Sequence, residues 1–101
     1  MVIAVDVDGT LTKSGDCWTE VDCMTAEPND EVIHEVNKLY NDNFIVIYTA
    51  RRDMLIPSTL AWCRMHGVLF HAISNMKMPA DLYIDDKTIP PKEFRATEVK
   101  H

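Results

Sequence analysis

A chain of 101 residues with 47% apolar content has material for one layered core and no room for a second. Such a domain buries about two-thirds of the surface its unfolded chain exposes. Its formal charge of −6 excludes broad nucleic-acid binding, which needs clustered Lys and Arg, but leaves a small phosphorylated substrate open. No apolar run approaches the roughly 18 residues of a membrane span, so no membrane partner is expected.

Val2 to Val5 is a continuous apolar run ending in Asp6-Val7-Asp8-Gly9, as a strand buried on both faces of a parallel sheet would be. Its start lacks the basic region and cleavage site of a signal peptide, so a cytoplasmic protein is expected. Residues 10–28 turn polar and irregular, with Gly15 and Trp18 among acids, and read as a flap-like loop. Asn29 or Asp30 can cap a helix carrying Val32, Ile33, Val36, Leu39 and Tyr40 at helical spacing. Phe44 to Tyr48 is a second buried strand, closed by Thr49-Ala50-Arg51-Arg52. A helix from about Pro57 to His66 ends at Gly67, a natural left-handed terminator. Val68 to Ile73 and Leu82 to Ile84 complete the strands, with one helical turn expected around Lys92 to Arg95. The alternation implies parallel βαβ units with right-handed crossovers and ligands bound beyond the carboxyl ends of the strands.

Cys17, Cys23 and Cys63 are odd in number, and in a chain without a leader they read as small buried thiols. With His34, His66 and His71 they fit no zinc spacing. The Asp-Val-Asp-Gly run is not a calcium loop, because the six residues after Gly9 contain no Asp, Asn or Glu. Trp18 and Trp62 read as packing residues, Trp18 being also within reach of a substrate. The methionines, Met76 and Met78 included, read as core or edge filling, and Arg51 and Arg52 as surface or specificity residues.

Three polar clusters fall at strand ends: residues 6–10, residues 49–52, and Asp85-Asp86. Asp6 and Asp8, two apart, can face one space, and Gly9 permits a tight turn with amides toward a ligand. If the last strand lies beside the first, four carboxylates crowd together. Two of them about 4 Å apart repel by about 4 kcal/mol at an effective dielectric near 20. An all-oxygen cluster with that repulsion favours Mg²⁺. Thr49, Lys77 and the amides of the Gly9 and Ala50 turns could surround a phosphate, where transition-state charge must be held. A carboxylate nucleophile forming an acyl phosphate then splits one displacement into two, with a second carboxylate as acid and base.

The run Asp6-Val7-Asp8-Gly9-Thr10-Leu11-Thr12 resembles the first motif of the haloacid dehalogenase (HAD) superfamily of phosphohydrolases. Ile45 to Thr49 is similar to its second motif, Lys77 to its third-motif lysine, and Leu82 to Asp86 to its acidic fourth motif. The resemblance spans residues 2 to about 94. It implies an α/β, three-layer Rossmann-like fold with a mainly parallel sheet and one catalytic core over residues 1–101. Asp6 would be the nucleophile and Asp8 the general acid/base. Mg²⁺ would be held by the Asp6 carboxylate, the Asp8 carbonyl and the Asp85/Asp86 pair; Thr49 and Lys77 would bind the phosphoryl group.

Neither interval between motifs has room for a cap domain. Water exclusion would then fall to the flap, a partner subunit such as a second copy, or a large substrate. Small phosphatases of sugar or capsule synthesis and related phage proteins resemble the chain most. The expected substrate is a small phosphorylated metabolite, a sugar phosphate ahead of a nucleotide. Two alternatives stay open: a metal- or phosphate-binding regulatory module without turnover, and a phosphatase acting on a macromolecular phosphate.

Overall fold

The computed structural model describes residues 1–13, 15, 17–76 and 78–85. Four strands, β1 (Val2–Asp6), β2 (Phe44–Tyr48), β3 (Ala72–Ser74) and β4 (Leu82–Ile84), form one sheet in the order β3-β2-β1-β4. Every pairing is parallel. Three helices accompany them: α1 (Glu20–Thr25), α2 (Asp30–Leu39) and α3 (Ile56–Met65). The protein is thus a small α/β domain with a parallel sheet, as its alternating pattern implies.

The register follows from which side chains must be dry. Ile3 and Val5 of β1, Ile45 and Ile47 of β2 and Ile84 of β4 are fully buried in one cluster. The same cluster takes Val32, Ile33, Val36 and Leu39 from α2, and Trp62 and Cys63 from α3. Alternate strand residues face opposite ways, so α2 and α3 lie on one face of the sheet. Two right-handed crossovers running in one direction along the sheet produce this sidedness. Ala4 and Val46, which face the other side of the sheet, are buried as well.

Helix α2 begins as its sequence suggests, with the Asn29 side chain accepting the Val32 N–H at 3.4 Å. Helix α3 starts one residue earlier than expected, after a short 3₁₀ turn at Asp53–Leu55, and ends before Gly67 at φ +71°. The third strand is shorter than the apolar run Val68 to Ile73 suggests, because side chains take its ladder bonds. Asn37 on α2 donates to Gly67 O and accepts from Leu69 N, both at 2.8 Å. At the next step His71 Nδ1 accepts the Ile45 N–H at 3.0 Å, and the ring stacks between Tyr40 and Phe44. The His71 N–H donates to Ile45 O at 2.8 Å, and regular strand pairing follows from Ala72.

The flap is more ordered than a loop. Thr19 and Asp22 form a reciprocal capping box that starts α1. The chain re-enters the fold through a bridge between Thr12 and Pro28. Trp62 is buried, as expected of a packing residue, and donates its indole N–H to Ala26 O at 2.8 Å, tying the flap's end to α3. Cys17 and Cys23 form a disulfide, their Cα atoms 5.5 Å apart. That corrects the reading of three free thiols: the capping turn folds residue 17 back over the first turn of α1. Cys63 alone is a buried free thiol, and burial pushes it up to about 11. The methionines are not all fillers, since Met54, Met65 and Met76 are exposed. Among the described residues no helix is long and apolar enough to cross a membrane.

Candidate functional site

Strand pairing brings together at one rim residues far apart in sequence. Asp6, the last residue of β1, is directly beside Tyr48, the last of β2, so Thr49 follows at the rim. Val5 pairs with Ile84, which puts Asp85 one step past the end of β4, next to Asp6. The rim also holds Ser74 at the end of β3, whose carbonyl accepts the Thr49 N–H at 3.0 Å. Parallel strands end at the same edge, so three separate stretches of chain supply one surface.

After Asp6 the chain leaves the strand in a tight π-like turn, Val7–Leu11, with Gly9 at φ +81°. Asp6 Oδ1 accepts the Val7 N–H at 2.9 Å, and Thr12 Oγ1 accepts the Gly9 N–H at 3.1 Å while donating to Val7 O at 3.3 Å. A β-carbon at that φ would be strained, so glycine suits the position. The Thr10 hydroxyl is buried, with no hydrogen-bond partner among the described residues.

Asp6 and Asp8 open onto different clefts. Asp6 and Asp85 line a cleft of about 220 Å³ with Tyr48, Ala50 and Tyr83. Asp8 lines a second cleft of about 380 Å³ with Trp18, Arg51, Arg52, Met54 and Leu55, and Ala50 borders both. Two carboxylates two residues apart would share a face only while the strand continued. Asp8 keeps an extended backbone (φ −70°, ψ 120°) and the chain turns only at Gly9, so its side chain leaves the Asp6 cleft because it is drawn to Arg51.

Asp8 is also not the crowded, repelled carboxylate expected from the sequence. Arg51 holds it in a two-pronged ion pair, Nη2 to Oδ1 at 2.6 Å and Nε to Oδ2 at 3.2 Å. The Arg51 side chain is 3% exposed and that of Asp8 24%. The third arm of the guanidinium donates to Thr59 Oγ1 at 2.7 Å, and Thr59 in turn donates to Leu55 O at 2.8 Å. Planar, bidentate geometry of this kind suits arginine and not lysine. Arg51 is therefore neither a surface residue nor free for a ligand in this arrangement. Its signal in the sequence was only its place two residues past a strand-end threonine, on a rim rich in acids.

Thr49 is fully buried and its oxygen accepts the Arg51 N–H at 3.1 Å, which shapes the residue 49–51 turn and leaves the hydroxyl proton to donate. Gly9 and Ala50 lie on the two turns that flank the strand ends. Lys77, Asp86 and the turn around Lys92 to Arg95 lie outside the described residues. Among the described residues no group of three or more His, Cys, Asp or Glu side chains is gathered as a metal cage. Asp6 and Asp85 at the rim are oxygen donors of the type Mg²⁺ takes, one or two carboxylates with water for the rest.

Comparison of the chain with protein-family models, with curated proteins and with solved structures finds no match.

Proposed function

We propose that the chain is a Mg²⁺-dependent phosphomonoesterase of the haloacid dehalogenase type, with a capless, Rossmann-like core and Asp6 as nucleophile. One observation carries the reading: the parallel register that sets Asp6, Thr49 and Asp85 side by side at the carboxyl ends of three adjacent strands. A nucleophile, a hydroxyl donor and a second acid at one rim are the parts that phosphoryl transfer needs.

In the first half-reaction an Asp6 oxygen bonds to phosphorus as the bond to the leaving oxygen breaks, giving an aspartyl phosphate. Asp8 acts as general acid only after its carboxylate leaves the Arg51 ion pair and takes up a proton from water, which it then gives to the leaving oxygen. Water then adds to phosphorus, its proton passes to Asp8, and the Asp6–phosphorus bond breaks to release inorganic phosphate. Thr49 and the Gly9 and Ala50 turns hold the equatorial oxygens, with Lys77 in the same role. The carboxylates of Asp6, Asp85 and Asp86 and the Asp8 carbonyl are the groups that would hold Mg²⁺, which would supply positive charge against the phosphoryl oxygens. The opening of Asp6 and Asp8 onto different clefts supports this division of labour, nucleophile on one side and leaving group on the other.

The test is hydrolysis of p-nitrophenyl phosphate with and without Mg²⁺. Asp6→Asn is expected to lose at least about a thousandfold in kcat, the scale on which catalytic groups act. Equal activity in Asp6→Asn and wild type ends this mechanism. The Arg51 clamp on Asp8 favours one other reading, a phosphate-binding module that does not turn over. Beryllofluoride separates the two, because it forms an aspartyl-phosphate mimic only on a competent Asp6.

A further inference from the structure

The Asp8 cleft runs between the flap and the loop after β2. Resting on the phosphohydrolase reading, we infer that it receives a planar aromatic leaving group, the kind a nucleobase or aryl ring presents, stacked on Trp18.

Three observations carry the inference. First, Trp18 is 79% exposed and Met54 67%, across a cleft that they share with Asp8. Large apolar side chains held open to water beside a candidate site mark a contact surface more than a packing accident. Second, the Trp18 backbone is not loose. It is flanked by the disulfide at Cys17 and by the Thr19 cap, and its N–H donates to Asp22 Oδ2 at 3.2 Å. A fixed main chain bearing an exposed indole is a stacking platform whose ordering is already complete before a ligand arrives.

Third, the chemistry of the walls selects against carbohydrate. Asp8 and Arg51 satisfy each other, so among the described residues Arg52 is the other charged side chain lining the cleft, with Trp18, Met54 and Leu55. The hydroxyls of a sugar would lose water there and find few partners, whereas each face of a flat ring finds one. The indole stacks, the Met54 thioether suits a ring edge, and the Arg52 guanidinium suits a π face. The cleft volume of about 380 Å³ is within the size range of small-molecule pockets. This reverses the order of substrates that the sequence suggested.

The experiment compares kcat/KM on four phosphate donors: a 5′-nucleoside monophosphate, an aryl phosphate, a hexose 6-phosphate and acetyl phosphate, the last having almost no leaving group to bind. Wild type is expected to prefer a ring-bearing donor over the hexose phosphate by about tenfold or more. In Trp18→Ala the ratio of ring-bearing donor to acetyl phosphate should fall by about tenfold, while Met65→Ala, exposed on α3 away from the cleft, keeps the wild-type ratio. Whichever ring-bearing donor leads tells a nucleotide from a simple aryl ester. Hexose phosphate matching the ring donors, or an unchanged ratio in Trp18→Ala, overturns the inference and leaves the phosphohydrolase reading standing. No turnover of any donor and no beryllofluoride adduct removes both. A change of oligomeric state in Trp18→Ala by sedimentation assigns the indole to a contact between copies and also overturns it.

Discussion

The strand-end rim and the flap face each other across the Asp8 cleft, yet they are held by different kinds of interaction. Asp6, Thr49 and Asp85 take their positions from sheet register, which depends on a core of isoleucines and valines drawn from distant parts of the chain. The flap from Cys17 to Thr25 takes its local shape from its neighbours in sequence, a disulfide six residues apart, a capping box and a short helix, and reaches the rest of the fold mainly through the packing of α1 on α3. The rim should therefore stand or fall with the whole domain, whereas the flap's capping turn can open locally while α1 stays docked on α3. Chemistry that needs fixed geometry belongs on the first kind of support, and substrate choice on the second.

The strongest challenge to that division is Ile47→Ala. Ile47 is fully buried between two other strands and pairs with Val5, next to Asp6. Truncation of such a residue costs about 2–5 kcal/mol, a large share of the roughly 5–15 kcal/mol that holds a domain together. The urea midpoint followed by far-UV circular dichroism should drop accordingly, with the slope unchanged. A loss below about 0.5 kcal/mol would mean that the rim does not rest on this core.

A smaller effect is expected where the two supports meet. Arg51 joins the turn after β1 to α3 through Asp8 and Thr59. Arg51→Met keeps the aliphatic stem but removes three charge-assisted hydrogen bonds and leaves Asp8 without its cation. Because water reaches Asp8, the cost should be about 1.5–3 kcal/mol, below that of a fully buried pair. Chemical denaturation measures it, and Arg51→Lys should recover less than half, since an ammonium cannot grip both carboxylate oxygens.

How far the sequence reveals each region follows the same line. Strands Val2–Asp6, Phe44–Tyr48 and Leu82–Ile84 and helix Asp30–Leu39 were legible, because apolar period and caps are local signals that agree with the global fold. The convergence of Asp6, Thr49 and Asp85 was legible through the crossover rules alone. Three things were not. The Val68 to Ile73 run reads as strand because its competitors, the Asn37 amide and the His71 ring, are long-range side-chain partners that no window along the chain contains. Arg51 was unreadable because its partner Asp8 is 43 residues away. The parting of Asp6 and Asp8 into different clefts was half legible: Gly9 announced a tight turn, but not that Arg51 would draw the Asp8 side chain away.

The finest test of the division uses pH. The Asp22 carboxyl is held below its ordinary value of 3.8, chiefly by the Trp18 N–H and then by the Thr19 hydroxyl and backbone. A depressed folded-state value contributes stability that is complete above the unfolded value and lost as pH falls through the folded one. The capping box should therefore open only below about pH 4, as Asp22 takes up a proton. Amide exchange at Trp18 and Thr19, whose N–H groups donate to this carboxylate at 3.2 and 3.1 Å, should accelerate there beyond its intrinsic pH trend. Asp22→Asn should exchange faster already at neutral pH and show no such step. The Thr49 N–H, bonded to Ser74 at the rim, has no reason to follow it. If its protection falls with the same midpoint, the flap and the rim open as one unit, and the separation argued from their supports is wrong.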